Sequence, residues 1–293
     1  MREVKFLWKK REAEDFIVKE ISEFEIDEEG SHYLYLLAKR NYTTREVSKR
    51  FNLSYAGMKD KFALTFQKVS SSEFLGNLIS EKEDQRWFIL KFLGKIRRKV
   101  KIGQLKGNKF AVKVEGFNFK ERRAFINYYD VQRIGGNWFR GKELLKRLLD
   151  KPRRRLKWSE NLLLDSYLSY LWNRSLELYL IDRFTGYYIF DGEERFFIPE
   201  SLEERIDELP KFWTVLGYKK KLLTSAPYYR EVLKGEGFSL EEVLEGLRAL
   251  GIKGDYRMTY VLVKDFKVIG KYAFFFLPKG SFATMFLKHI QAV

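Results

Sequence analysis

The sequence predicts an α+β protein in which a sheet-forming domain is interrupted by a mainly helical insertion. Short strand-like runs occur in the first 120 residues, at Tyr33–Leu37, Trp87–Leu93 and Phe110–Val114. Helical spacing dominates the middle of the chain, and strand-like runs return after Tyr256. At 293 residues the chain is long enough to form two domains. The predicted boundaries are 1–126 with 254–293 for the discontinuous domain, and 127–253 for the insertion.

Capping residues and apolar spacing indicate the helices. Thr43 and Glu46 form a capping-box pattern, which predicts a helix up to Phe51. Leucines recur at helical spacing near residue 145, and a second long helical pattern runs from about Leu162 to Ile181. Further helices are predicted at Ser72–Ile79, after Ser201, after Ser239 and after Gly280. The remaining strands are predicted at TYVLV (259–263) and YAFFFL (272–277).

The composition favours a polyanionic partner and excludes several classes of chemistry. Lys and Arg number 56 against 40 Asp and Glu, a net charge of +16, and aromatic residues make up 17% of the chain. Such an excess of positive charge in an aromatic-rich, folded chain favours a polyanion such as nucleic acid or an anionic surface. The chain has no cysteine, which excludes disulfides, thiolate catalysis and cysteine-ligated metals. It has no apolar run of membrane-spanning length and no signal-peptide pattern at its N-terminus, so we expect a cytoplasmic protein.

Basic residues cluster in two runs that are interleaved with aromatic residues. One run includes Arg97, Arg98 and Lys99, and the other includes Arg153, Arg154 and Arg155. A single charged run often marks no more than a solvated face. Two runs of this kind favour RNA binding, because phosphates require cations and unstacked bases require aromatic faces. These six residues are therefore predicted to contact the RNA backbone.

The densest polar cluster surrounds an aspartate between two lysines. In the segment AGMKDKFALTFQ (56–67), Asp60 lies between Lys59 and Lys61. Flanking positive charge keeps a carboxylate ionised, which suits a nucleophile or a base. Taken alone, the same pattern also fits a surface turn with alternating charges.

Several segments together resemble the TruD family of tRNA pseudouridine synthases. DFIVKE (15–20) is similar to the family's N-terminal motif, and AGMKDKFALTFQ resembles the motif that carries its catalytic aspartate. LKGNKF (105–110), NYYDVQRIG (127–135) and LPKGSFAT (277–284) complete the resemblance. Asp130 and Ile134 depart from the family pattern, which has Gly and Phe at these positions.

The resemblance implies a pseudouridine-synthase-like fold with a largely antiparallel sheet flanked by helices. It also implies an isomerase that converts uridine to pseudouridine in tRNA, at position 13, as a monomer and without a cofactor or a metal. Asp60 matches the catalytic aspartate, Lys10 its basic partner and Phe110 the aromatic residue that stacks on the target base. The other predicted substrate-binding residues are Phe16, Lys59, Lys61, Gln67, Asn108, Gln132, Arg133, Ser281, Phe282 and Thr284.

Two alternatives to this function remain open at the level of sequence. A non-catalytic RNA-binding protein or RNA chaperone on the same scaffold would keep the basic and aromatic surface without using Asp60. A nuclease would require a cluster of acidic metal ligands, and no segment of the sequence clearly offers one.

Overall fold

A computed structural model describes residues 2–151 and 156–292 and divides the chain into two compact units. The sheet unit consists of Trp8–Asn118 and Val263–Ser281. The helical unit consists of Met1–Leu7, Phe119–Leu262 and Phe282–Val293. Within residues 2–151 and 156–292, no helix combines the length and the apolar character that a membrane span requires.

Strands and helices are numbered in chain order. The strands are β1 (Glu3–Lys5), β2 (Phe16–Ile21), β3 (His32–Arg40), β4 (Ser54–Tyr55), β5 (Leu64–Ser71), β6 (Leu78–Glu83), β7 (Arg86–Ile96), β8 (Gly107–Lys113), β9 (Ala124–Ile126), β10 (Gly186–Asp191), β11 (Glu194–Pro199), β12 (Phe212–Val215), β13 (Asp255–Met258), β14 (Tyr260–Leu262), β15 (Lys264–Ile269) and β16 (Tyr272–Pro278). The α-helices are α1 (Thr44–Phe51), α2 (Val131–Ile134), α3 (Trp138–Asp150), α4 (Trp158–Ile181), α5 (Ala226–Glu236), α6 (Leu240–Ala249) and α7 (Ala283–Ile290).

The sheet unit is built on one large sheet with the strand order β15-β16-β8-β2-β5-β3-β7-β6, and β4 pairs with β5. Neighbouring strands are antiparallel except β2 and β5, which are parallel. Helix α1 packs on one face of this sheet, where Val47 joins a buried cluster with Tyr35, Leu37, Val69 and Phe88. The capping box at Thr43 and Glu46 is present and begins this helix as predicted. The α+β class and the largely antiparallel sheet are thus confirmed.

The helical unit is organised around α4, which is buried on several sides. Leu164, Leu168, Leu171 and Trp172 are among its buried residues, a pattern typical of a helix enclosed by other elements. Helices α3 and α5 pack against it. Short strand pairs complete the unit: β10 pairs with β1 and β11, β12 with β13, and β9 with β14.

Two of the predicted helices are wrong. The segment Ser72–Ile79 is irregular and leads into β6, because Gly76 has a φ of +111° and the amide of Leu75 donates to the hydroxyl of Tyr35. The residues after Ser201 form turns followed by a single 3-10 turn at Ile206–Glu208. In that segment the carboxylate of Glu203 accepts a hydrogen bond from the amide of Ala124, a contact that local sequence does not encode.

Candidate active site

Strand register brings four of the sequence-predicted residues onto one face of the large sheet: Phe16, Gln67, Asn108 and Phe110. Lys39 on β3 lies opposite Thr65 on β5, which lies opposite Val18 on β2. Val18 in turn lies opposite Phe110 on β8, and Glu20 lies opposite Asn108. Because side chains alternate between the two faces of a strand, the residues that share this face are Lys39, Thr65, Gln67, Phe16, Val18, Glu20, Asn108 and Phe110.

The loop between β4 and β5 carries Asp60. Its Oδ2 atom lies 2.5 Å from Nζ of Lys10, and each side chain is 22% exposed. Its Oδ1 atom accepts a hydrogen bond of 2.9 Å from the amide of Phe62. Both oxygens are therefore held in place while part of the carboxylate stays accessible to a ligand.

A buried lysine fixes the main chain at the same residue. Nζ of Lys39 donates to the carbonyl oxygen of Asp60 at 2.8 Å and to that of Tyr42 at 2.7 Å. The side chain is fully buried, and this desolvation lowers the pKa of Lys39 to about 8, with the negative charge of Asp60 opposing the shift. The sequence analysis assigned no chemical role to Lys39, although the segment GSH (30–32), followed by Lys39 and Thr44-Arg45, also resembles the family. The available signal was a cation at the end of an apolar, alternating strand, on the same face as Tyr35 and Leu37.

Gln67 and Thr44 hold the loop from inside the sheet. Nε2 of Gln67 donates to the carbonyl of Gly57 at 3.0 Å, and Oε1 accepts from the hydroxyl of Thr44 at 2.8 Å. The same hydroxyl accepts from the amide of Lys59 at 3.0 Å. Gln67 is 1% exposed, so its amide group is used to position the loop. Its predicted contact with substrate stays a prediction.

Lys59 and Lys61, which flank Asp60, differ in their surroundings. Nζ of Lys59 lies 2.7 Å from Oε2 of Glu20, and the two side chains are 6% and 0% exposed. This buried ion pair ties the loop to β2. Lys61 is half-buried and places its Nζ 5.2 Å from the centroid of the Phe62 ring.

Aromatic rings lie next to the ion pair of Lys10 and Asp60. Phe110 stacks on Phe275 with ring centroids 5.3 Å apart and lies 5.7 Å from Phe16. Nζ of Lys10 is 5.4 Å from the centroid of Phe16, so one cation contacts both the carboxylate and the aromatic cluster. Phe16 and Phe110 are 8% and 7% exposed. A base that stacks on Phe110 therefore needs a small movement of the surrounding side chains.

Asn108 and Ser281 each have a buried polar atom with unused hydrogen-bonding capacity. Among the described residues, Oδ1 of Asn108 and Oγ of Ser281 are buried without a hydrogen-bond partner. A buried polar atom without a partner is costly, and both atoms belong to residues that the sequence analysis assigned to substrate binding. A ligand could satisfy them.

The remaining substrate-binding candidates belong to the helical unit. Gln132 and Arg133 are exposed on α2, and Arg133 lies 3.3 Å from the carboxylate of Asp165. The hydroxyl of Thr284 donates to Asp130, which also pairs with Nζ of Lys288 at 2.7 Å. Asp130, one of the departures from the family pattern, is thus a buried member of a polar network.

Phe282 borders a buried cation that sequence reasoning missed. The guanidinium carbon of Arg257 lies 5.6 Å from the centroid of Phe282 and 4.0 Å from that of Tyr129. Its side chain donates to the carbonyl of Asn127 at 2.9 Å. Burial lowers the pKa of Arg257 to about 10, against an opposing contribution from Tyr129. Nothing in the local sequence DYRM distinguishes this arginine from a solvated one.

The first basic run is exposed, and its members differ. Arg97 forms an ion pair with Asp27, whereas Arg98 and Lys99 are exposed and form no ion pair within the described part of the chain. Arg153, Arg154 and Arg155 lie outside the described residues. Within residues 2–151 and 156–292, no group of three or more His, Asp or Glu side chains is placed to hold a metal ion.

Comparison with known proteins gives consistent matches. Residues 9–156 match the family described as tRNA pseudouridine synthase D (TruD). A tRNA pseudouridine synthase D of Aquifex aeolicus is 26% identical over 376 aligned residues, covering 96% of this chain and 97% of that protein. A probable tRNA pseudouridine synthase D of Methanosarcina mazei is 39% identical over 151 residues, covering 43% of this chain and 34% of that one.

A solved structure shows the same fold. The crystal structure of a putative tRNA pseudouridine synthase D (TruD) from Methanosarcina mazei superimposes with a TM-score of 0.61 at 21% sequence identity. The superposition covers 97% of this chain and 93% of that one. The similarity of fold thus extends beyond the segment matched by the family.

Proposed function

The chain belongs to the TruD family of tRNA pseudouridine synthases, and we propose that Asp60 is the carboxylate that carries out the reaction. The protein is accordingly an isomerase that converts uridine to pseudouridine in tRNA. We propose position 13 as the target, following the family resemblance. In this proposal residues 1–126 and 254–293 form the catalytic domain and residues 127–253 the insertion.

The reaction needs one well-placed carboxylate and no redox partner. The bond between N1 of uracil and C1′ of the ribose breaks, the uracil turns, and a bond forms between C5 and C1′. The hydrogen on C5 leaves as a proton and N1 gains one, so substrate and product have the same composition. A carboxylate can assist by attacking the nucleoside or by removing a ribose proton.

The contact between Lys10 and Asp60 is the observation that carries this proposal. Nζ of Lys10 lies 2.5 Å from Oδ2 of Asp60, so the ammonium group donates directly to the carboxylate, and hydrogen bonds between ionised groups are stronger than those between neutral ones. Four further contacts hold the loop of Asp60: those of Lys39, Thr44, Gln67 and Glu20. A side chain that must meet a reacting atom gains from such preorganisation, because no binding energy is then spent on orienting it.

Neighbouring groups can recognise the uracil. The target uridine must leave its stack, at a cost of a few kcal/mol. Stacking on Phe110 with Phe16 alongside would return about 1–3 kcal/mol. The unsatisfied Oδ1 of Asn108 could accept the N3–H of uracil, and Oγ of Ser281 could donate to one of its carbonyl oxygens.

We further infer that the enzyme works as a monomer in the cytoplasm, and that it uses neither a cofactor nor a metal. An isomerisation without net oxidation or hydrolysis requires neither. Size-exclusion chromatography with light scattering tests whether the protein is a monomer. Undiminished turnover after dialysis against a chelator would show that the reaction needs no metal ion.

Tritium release from tRNA labelled at C5 of uracil tests the assignment of Asp60. Wild type should release tritium, and Asp60→Asn should release none while binding tRNA with unchanged affinity in a filter-binding assay. Asp84→Asn is the matched control, since Asp84 is exposed in the turn between β6 and β7, where its φ of +50° also suits asparagine. Turnover by Asp60→Asn would refute the assignment, and tRNA binding without release by wild type would favour an RNA chaperone.

A further inference from the structure

We infer that Phe62 stacks on the base of the nucleotide that adjoins the target uridine, with Lys61 pairing with the intervening phosphate. This subsite rests on the proposed role of Asp60 and extends it to the RNA on one side of the reacting nucleotide. The group that binds at this subsite is a nucleobase of the substrate RNA.

The position of Phe62 relative to Asp60 is the first argument. Phe62 is two positions after Asp60, so their Cα atoms lie at most about 7 Å apart, and the amide of Phe62 donates to Oδ1 of Asp60 at 2.9 Å. A uridine that reacts at Asp60 remains joined to its neighbours through phosphodiester bonds. One of these neighbours must therefore lie close to the loop.

The exposure of the ring is the second argument. Phe62 is 59% exposed, although Ala63 beside it is fully buried. Isolated exposed apolar residues are common and need no explanation by themselves. Phe62, however, lies two positions after the candidate nucleophile, in a loop that the surrounding contacts hold in place. Its exposed ring is therefore accessible to a base at a defined place beside Asp60.

The charges around the loop supply the third argument. Lys10 is paired with Asp60, Lys59 with Glu20, and Lys39 donates to two carbonyls. In the part of the chain that the structure describes, Lys61 has no carboxylate within ion-pair distance, and its Nζ lies beside the Phe62 ring. An aromatic face with an adjacent ammonium group matches the base and phosphate of one nucleotide.

The test uses wild type and Phe62→Ala with three labelled tRNA transcripts. One is intact, and each of the others carries an abasic ribose in place of one neighbour of the target uridine. On intact tRNA, kcat/KM for tritium release should fall by about 5- to 150-fold in Phe62→Ala, the range that corresponds to loss of one stacked base. On one of the abasic substrates the two enzymes should react equally.

Two further variants separate stacking from other effects. Phe62→Trp should restore activity on intact tRNA, because the larger ring stacks at least as well. Met58→Ala removes an apolar side chain that is 71% exposed in the same loop, and it should change kcat/KM by less than about threefold. An equal loss in Met58→Ala would attribute the effect to the loop's conformation and refute the subsite.

Failure of the subsite is distinguishable from failure of the proposed function. If wild type releases no tritium from any transcript, the proposed function fails. If wild type is active and Phe62→Ala matches it on intact tRNA, the subsite alone is refuted. A loss in Phe62→Ala that persists on both abasic substrates also refutes it.

Discussion

Nζ of Lys10 lies 2.5 Å from Oδ2 of Asp60, although 49 residues separate them in the chain. The same ammonium group is 5.4 Å from the centroid of the Phe16 ring. One flexible side chain thus connects the candidate carboxylate with the aromatic pocket proposed for the base. This contact makes Lys10 the group whose removal should affect the chemistry without removing the carboxylate itself.

Lys10→Met should lower kcat for pseudouridine formation by about 10- to 150-fold and leave KM for tRNA nearly unchanged. The reason is loss of a charge-assisted hydrogen bond worth about 1.5–3 kcal/mol at the carboxylate that is proposed to act on the reacting atoms. Lys10→Arg keeps the charge and should retain most of the activity. Single-turnover tritium release measures both variants. A rise in KM without a fall in kcat would instead assign Lys10 to RNA binding.

Gln67→Leu should destabilise the protein by about 1–3 kcal/mol, because the carbonyl of Gly57 and the hydroxyl of Thr44 lose a buried partner. It should also lower kcat, since the loop of Asp60 loses a support. Gln67→Glu is the matched variant: it can still accept from Thr44 but cannot donate to Gly57. Urea unfolding and kinetics are measured on the same preparations. Weaker tRNA binding with unchanged stability would show that Gln67 contacts the RNA.

Local sequence was sufficient for the elements with regular patterns. The alternation of apolar and polar residues correctly predicted the strand around Phe110, and the capping box correctly predicted that α1 begins after Thr43. The same reasoning failed at Ser72–Ile79, where Gly76 and the hydroxyl of Tyr35 determine the path of the chain. That hydroxyl lies 40 residues away from its partner in sequence, and no window of local propensity includes it.

In the candidate site, too, some features could be predicted from the sequence and others depend on the folded structure. The motif around Asp60 could be recognised in the sequence and includes Lys59 and Gln67, but the contacts through which these residues support the loop could not be predicted. Glu20 lies opposite Asn108 because of a strand register that only the assembled sheet defines. Lys39 acts through main-chain carbonyls, which carry no sequence signature. The motif therefore locates the candidate carboxylate, and the folded sheet shows which residues hold its loop.

The buried ammonium of Lys39 should make stability depend on pH in the alkaline range. Burial lowers its pKa from 10.5 to about 8. Between these two values the unfolded chain binds more protons than the folded chain, so this group raises the free energy of unfolding as pH increases. The slope from one group is at most about 1.4 kcal/mol per pH unit. Below pH 8 the contribution is constant.

Comparison with Lys39→Met isolates this group from other titrating side chains. Urea unfolding of both proteins from pH 7 to pH 10 should give curves that run parallel up to about pH 8. Above that, the free energy of unfolding of wild type should rise relative to that of the variant. Curves that stay parallel to pH 10 would show that Lys39 keeps an ordinary pKa in the folded protein.

Arg98 and Lys99 should contribute to the salt dependence of tRNA binding, because they are exposed and have no carboxylate partner among the described residues. Each phosphate contact contributes about 0.7–0.9 to the slope of log K against log salt. The variant Arg98→Gln with Lys99→Gln should therefore reduce that slope by up to about 1.4–1.8. Arg97→Gln with Asp27→Asn removes an existing ion pair at constant net charge and tests the predicted backbone contact of Arg97: a reduced slope would support that contact, and an unchanged slope would assign Arg97 to Asp27 alone. The same titration with Arg153, Arg154 and Arg155 replaced by Gln tests the second basic run. An unaltered slope for the variant of Arg98 and Lys99 would place these two residues away from the RNA.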